Sequence, residues 1–280
     1  MIFLKRRTIS LLLAAVLLTA PAQAIDYQAG GIRDAVREIP LPIIMYHHIS
    51  ENPAQLGKYV ITPQELEQDL IWLRDNGWHS ISVQQLLDWY DGTFVMPEKP
   101  CMITFDDGYE STLVYAEPLL AQYGFTGVTA IIGSICQQYT QQPDHNLAYS
   151  HLDWQAAAAM SQRGVLEVQY HSWDMHHLSP RKGCSRQPGE AECCYRQALE
   201  RDLEQFRAGC EANGVCLIPS VAYPFGAFSS ETEAFFRQAG FQAAFTCQEQ
   251  TNRLMGDPSE LWSLGRYNRP HGVPIQKFFG

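Results

Sequence analysis

Short apolar runs alternate with amphipathic, capped segments at least six times along this 280-residue chain, and no other feature narrows its possible folds so much. The runs at residues 43–46, 78–82, 101–105, 128–132, 166–170, 217–223, 241–246 and 261–266 read as strands. Between them, Thr62-Pro63-Gln64-Glu65, Ser82-Val83-Gln84-Gln85 and Ser230-Glu231-Thr232-Glu233 have the form of helix-opening capping boxes. Asp153 is placed to cap another helix, while Gly77, Gly124, Gly164, Gly214 and Gly240 stand where helices should stop. Residues 137–150 and 179–191 are polar and aperiodic, hence loops, the second one long enough to be an insertion. Strand-helix alternation without an internal repeat or a low-complexity linker predicts an α/β fold with a parallel sheet in a single domain, residues 41–280. The period alone does not separate a closed barrel from an open, doubly wound sheet.

The first 24 residues have the form of a secretion signal: Lys5, Arg6 and Arg7, an apolar run, then Ala22-Gln23-Ala24. The competing reading is an uncleaved membrane anchor, but the run is shorter than the ~20 residues a bilayer span requires. The expectation is therefore an exported protein, secreted or held in the cell envelope, with residues 25–40 as a leader and no membrane span after cleavage. Removing the three cations of the signal leaves 17 basic against 30 acidic residues, a poor surface for nucleic acid. An even cysteine count permits disulfides in such a compartment, the local candidates being Cys184 with Cys193 or Cys194, and Cys210 with Cys216. Cys101, inside a predicted strand, reads instead as a small buried apolar residue.

Polar residues gather where the strands end. His47, Asp106 with Asp107, His171, Tyr223 with Phe225, and Arg266 each lie at or just past the carboxyl end of a different strand, and in a parallel barrel those ends share one rim. An Asp-Asp-Gly sequence is by itself an ordinary turn, but a carboxylate with paired imidazoles is how a divalent cation is held with one position open to water. Asp107, His171 and His176 form such a set, with zinc the default ion. Asp174 is the alternative, either as the ligand in place of Asp107 or as a partner behind one imidazole. His171 and His176 are too far round for one helical face, so an irregular loop must bring them together.

Thr104-Phe105-Asp106-Asp107-Gly108-Tyr109, His171-Ser172 with His176 five residues on, and Tyr223-Pro224-Phe225-Gly226 resemble the first three motifs of the polysaccharide deacetylases, carbohydrate esterase family 4. Met45-Tyr46-His47 is similar to the first strand of the branch acting on poly-N-acetylglucosamine. The resemblance implies a distorted (β/α)7 barrel that removes acetyl groups, N-linked or O-linked, from a glycan, an N-acetylglucosamine polymer first among the candidates; a monomer is the expected state. It implies Asp106 as general base; Asp107, His171 and His176 as ligands of zinc, or of cobalt, nickel or manganese; and the Phe225 amide as an oxyanion donor, with Tyr223 and Tyr109 beside the substrate.

Two departures from that pattern stand out. Many members place an arginine at the start of the third motif, to hold the catalytic aspartate, where this chain has Tyr223; Arg266 is the candidate substitute, with Arg269 behind it. Many also carry a histidine after Leu-Leu or Ile-Leu near the C-terminus as proton donor. That motif is missing, and His271 sits in a Pro-His-Gly turn, so His47 is the candidate acid. Two competing readings are a glycan-binding module that kept the cleft without turnover, and a barrel glycosidase. The latter needs carboxyl groups facing each other across a sugar linkage, which adjacent Asp106 and Asp107 do not supply, and it leaves the histidines idle.

Overall fold

The computed structural model describes residues 38–279. Seven parallel strands carry the fold: β1 (Ile43–Tyr46), β2 (Pro100–Phe105), β3 (Gly127–Ile131), β4 (Leu166–Tyr170), β5 (Leu217–Ala222), β6 (Ala243–Phe245) and β7 (Tyr267–Asn268). Their spatial order is β6-β5-β4-β3-β2-β1-β7, and the short strand His79–Ser80 pairs with the first two residues of β2. Every residue of β2 and β3 is buried, as expected of parallel strands covered on both faces. The two ends of the path meet through residues 264–266: Leu264 N–H donates to the Ala244 carbonyl (3.0 Å), Thr246 N–H to that of Leu264 (2.8 Å) and Arg266 N–H to that of Gln248 (2.9 Å). The sheet thereby closes as a distorted (β/α)7 barrel.

Helices α1 (Pro63–Asp75), α2 (Val83–Tyr90), α3 (Glu117–Tyr123), α4 (Gly133–Gln141), α5 (Trp154–Arg163), α6 (Glu192–Asn213) and α7 (Ser230–Gln238) surround it. The boxes at Thr62 and Ser82 form as the sequence predicts, and Asp153 accepts from Ala156 N–H at 2.7 Å. Leu66, Leu70 and Leu73 are the buried stripe of α1. The α7 box is shifted by one residue, to Ser229 and Thr232.

Several expectations require correction. Residues 137–141 belong to α4, not to a loop. Residues 261–266 are not a strand: a helical turn, Pro258–Trp262, buries Leu261 and Trp262, and the pairing with β1 is made by Tyr267 and Asn268. Ile39–Leu41 pairs antiparallel with Asn252–Leu254, so the end of the predicted leader is part of the barrel's covering, while the predicted signal and residues 25–37 lie outside the described residues. All eight cysteines are free thiols. Cys184 is sealed in the core whereas Cys193 and Cys194 are exposed, and Cys210 faces inward while Cys216 faces solvent, so neither local pair shares an environment. Among the described residues no helix is long and apolar enough to cross a membrane.

Candidate active site

β2 delivers two neighbouring carboxylates in opposite directions. Phe105 ends the strand, Asp106 turns inward, and Asp107 adopts φ +73°, which swings its side chain out toward the rim. Gly108 follows at φ +71°, where a Cβ would lie 3.1 Å from the Ile131 side chain, so the turn needs glycine on both conformational and steric grounds. Asp107, Ser172 and Phe225 are the non-glycine residues at positive φ among the described ones, and each follows a strand whose end faces the same cleft. Backbone strain of this kind persists where surrounding structure enforces it, and it gathers at functional sites.

Inside the barrel, the Arg266 guanidinium meets Asp106 through two parallel hydrogen bonds of 2.7 and 2.8 Å, and its Nε donates to the Thr246 carbonyl at 3.0 Å. Arg266 is fully buried and Asp106 nearly so, which makes this a desolvated, bidentate pair. Burial alone would raise the Asp106 pKa, but the charges of Arg266 and His171 outweigh it and the carboxyl lies below its ordinary range. Arg269 does not stand behind Arg266. It pairs with Asp69 at 2.8 and 3.1 Å, and Tyr46 donates to the same carboxylate.

At the rim, Asp107 Oδ1 lies 3.5 Å from His171 Nε2 and 3.2 Å from His176 Nε2. Ligand atoms of all three residues fall within 4.8 Å of one another. A tetrahedral ion with bonds of about 2.0–2.1 Å sets its ligand atoms roughly 3.4 Å apart, so the spacing fits one cation. The donor set fits too. His171 Nδ1 lies 2.8 Å from the Ala222 carbonyl, which holds a proton on that nitrogen and makes Nε2, beside Asp107, the atom a cation would take. Burial lowers His176 to about 4, so this imidazole is neutral at pH 7. For Asp107 the cost of burial is overcome by the hydrogen bond and charge of His171, and the carboxyl is held below its ordinary range. The His171 pKa is raised despite burial, by the hydrogen bond to Asp107 and the charges of Asp106 and Asp107. As the spacing requires, the segment from His171 to His176 is irregular.

The cleft has a volume of about 470 Å³ and is lined by His47, Asp106, Asp107, Tyr109, His171, His176 and Phe225. His47 follows β1, packs against Tyr59 with ring centroids 4.8 Å apart, and its Nδ1 makes no hydrogen bond. Burial lowers its pKa, against the opposing pull of Asp106 and Asp107. Around Phe225 the Gly226 and Ala227 N–H groups turn back to the carbonyls of Tyr223 and Pro224, while the Phe225 N–H takes no part in those bonds. Its ring lies 4.4 Å from that of His176.

Other expected residues lie elsewhere. Tyr223 does not contact the cleft: its ring is buried and stacked on Phe228, 4.7 Å away. Asp174 is exposed and neighbours Ser134 and His177, because its loop turns that side chain outward. His271 bonds to Glu65 on the outside of the barrel. Sequence reasoning passed over Tyr59, Cys247 and Asn268, which also line the cleft. Cys247 lies just past the end of β6, the same position that singled out the other site residues, and could have been found by that rule.

Comparison with known proteins gives the family and the fold. The chain is 25% identical over 139 residues to a poly-beta-1,6-N-acetyl-D-glucosamine N-deacetylase of Escherichia coli K12, covering 48% of this chain but 21% of that protein, so it spans about a fifth of that relative's length. It is 20% identical over 267 residues, 88% of each chain, to the protein of the same name from Staphylococcus aureus N315. The solved structure of a de-N-acetylase from Aggregatibacter actinomycetemcomitans superposes with a TM-score of 0.71 at 21% identity, over 85% of this chain and 98% of that one, and so shares the fold. Residues 95–244, more than half of the sequence, match the polysaccharide deacetylase family, and the chain belongs to that family.

Proposed function

We propose that this protein is a metal-dependent N-deacetylase that releases acetate from a glycan containing N-acetylglucosamine. The observation that carries the reading is the division of labour between adjacent carboxylates: Asp107 shares a corner with His171 and His176, while Asp106, in the same cleft, is held apart by Arg266. Bound by Asp107, His171 and His176, a divalent cation, with zinc favoured by the ligand set, would polarise the acetamide carbonyl and acidify a water molecule. Asp106, kept ionised by Arg266, accepts the proton of the attacking water. The Phe225 N–H, free of the turn's own hydrogen bonds, is the donor assigned to the charge that grows on the carbonyl oxygen. The proton that Asp106 takes from the water ends on the departing nitrogen, with His47, which lines the same cleft, as the group that hands it over. The named activity of the two relatives supports the substrate class, and the Lys5-Arg6-Arg7 cluster with its apolar run supports export.

The test is acetate release from N-acetylglucosamine oligomers and from acetylated xylan, before and after chelation, with zinc or cobalt restored. Release from the amino-sugar oligomers that stops on chelation and returns with metal is expected. Chelator-insensitive release removes the metal from the mechanism, and release from xylan alone makes the protein an O-acetyl esterase.

A further inference from the structure

Of the proposed metal ligands, His176 is the one that no strand holds. Asp107 directly follows Asp106 at the end of β2, and His171 follows β4, but His176 stands five residues further along an irregular loop. What fixes that loop comes from a different part of the barrel. Asp202, on the inner face of α6 and 5% exposed, accepts hydrogen bonds from the Trp173 N–H at 2.7 Å, the Asp174 N–H at 2.8 Å and the Tyr170 hydroxyl. One carboxylate thus binds the strand before His171 and two successive amides between His171 and His176. From the opposite side, the N–H groups of Gly133 and Ser134 at the start of α4 donate to the Ser172 and Trp173 carbonyls at 3.0 and 2.9 Å. Within the loop, Met175 N–H donates to Ser172 Oγ at 3.1 Å, so the chain is fixed up to the residue before His176.

We propose that Asp202 is a positioning residue for the metal centre: it holds residues 172–174 in the conformation that brings His176 Nε2 to Asp107, and so sets metal affinity without touching the metal. The inference rests on the metal-dependent reading above and adds to it a residue far away in sequence. A carboxylate suits the task because it is acceptor-only, so all three surrounding donors are satisfied at once. An asparagine turns an N–H toward at least one of those donors, leaves a buried amide unpaired, and should release the loop.

The experiment measures zinc affinity of the whole chain by competition with a chromophoric chelator, together with the melting temperature of the metal-free protein. The variants are Asp202→Asn, Tyr170→Phe and His171→Ala. Asp202→Asn should weaken zinc binding by about tenfold or more, the scale on which partners of metal ligands act, while kcat at saturating zinc recovers toward wild type. Tyr170→Phe removes one bond to the same carboxylate but spares both loop amides, so it should lower the melting temperature and keep the zinc affinity. Unchanged affinity in Asp202→Asn, or an equal loss in both variants that follows their stability, overturns the proposal. If Asp202→Asn does not fold, Asp202→Glu, which keeps the charge but displaces the acceptors by one carbon, carries the same test: weakened zinc binding supports the role and unchanged binding overturns it. A His171→Ala protein that still binds zinc refutes the metal centre itself, and the inference with it. Unchanged Asp202→Asn affinity beside a zinc-free His171→Ala refutes the inference alone.

Discussion

Two adjacent aspartates take different partners because one backbone torsion separates them. The positive φ at Asp107 sends its carboxylate to the histidines, whereas Asp106 remains under the barrel mouth against Arg266. Asp106→Asn should therefore keep its metal and lose turnover by about 10²–10⁴-fold, the usual contribution of a positioned base. His171→Ala should lose both, and metal analysis beside acetate assays distinguishes the two. Arg266→Met leaves Asp106 buried without its counter-charge. The expected cost is about 3–5 kcal/mol in denaturant unfolding, as for other broken buried pairs. The Asp106 pKa must then rise, since the charge of Arg266 is the largest of the effects that lower it, and the acid limb of the kcat/KM profile should move to higher pH. The residue types of this site, and their placement at strand ends, were legible in the sequence. Side-chain direction was not: Tyr223 and Asp174 occupy the right stretches and point away, because the strained turns that aim each side chain depend on contacts made across the barrel.

Helices announced themselves by their caps more reliably than strands did by their apolar runs. β7 is two residues, Tyr267 and Asn268, with no apolar pattern, and it pairs because the preceding Trp262 and Leu264 are drawn into the core. α4 was hidden for a related reason. Gln137, Gln138, Thr140 and Gln141 make its second half polar, and its start is fixed by the carbonyls of Ser172 and Trp173. Where a cap was read from sequence, it does more than begin a helix. Glu65 of the α1 box accepts from the Thr62 N–H at 2.9 Å and also binds Gly272 N–H (2.7 Å) and His271 (2.8 Å), fastening α1 to the C-terminal segment. These bonds overcome the cost of burial and lower its pKa from 4.5 to about 2. A carboxyl depressed on folding contributes stability that is complete above its unfolded value and vanishes as pH falls through its folded one. Glu65→Gln should thus cost about 1 kcal/mol at pH 7, the worth of a cap. The gap in urea midpoint between variant and parent should close as pH falls from 4.5 to about 2. A gap independent of pH would mean that the contribution is packing and not charge.

At the scale of the whole molecule, alternation predicted the parallel sheet but not its closure, because no period records that the ends of a path meet; residues 264–266 accomplish that with backbone bonds. Closure brings the ends of β1, β2, β4 and β5 around one cleft, and the proposed metal ligands come from two of those strands and the loop after one of them. A cation held there joins segments more than sixty residues apart and binds the folded state alone, so it must stabilise the barrel as a unit. At a free metal concentration 100 times Kd the gain is about 2.7 kcal/mol. For a domain of this size that corresponds to roughly 5–10 °C in Tm. Calorimetry with and without chelator should show this shift in the parent and in Asp106→Asn, whose ligands are intact, and none in His176→Ala. A glycan-binding relic that had lost the metal would melt at one temperature throughout. A shift that survived His176→Ala would place the cation elsewhere on the protein and leave the proposed chemistry without its centre.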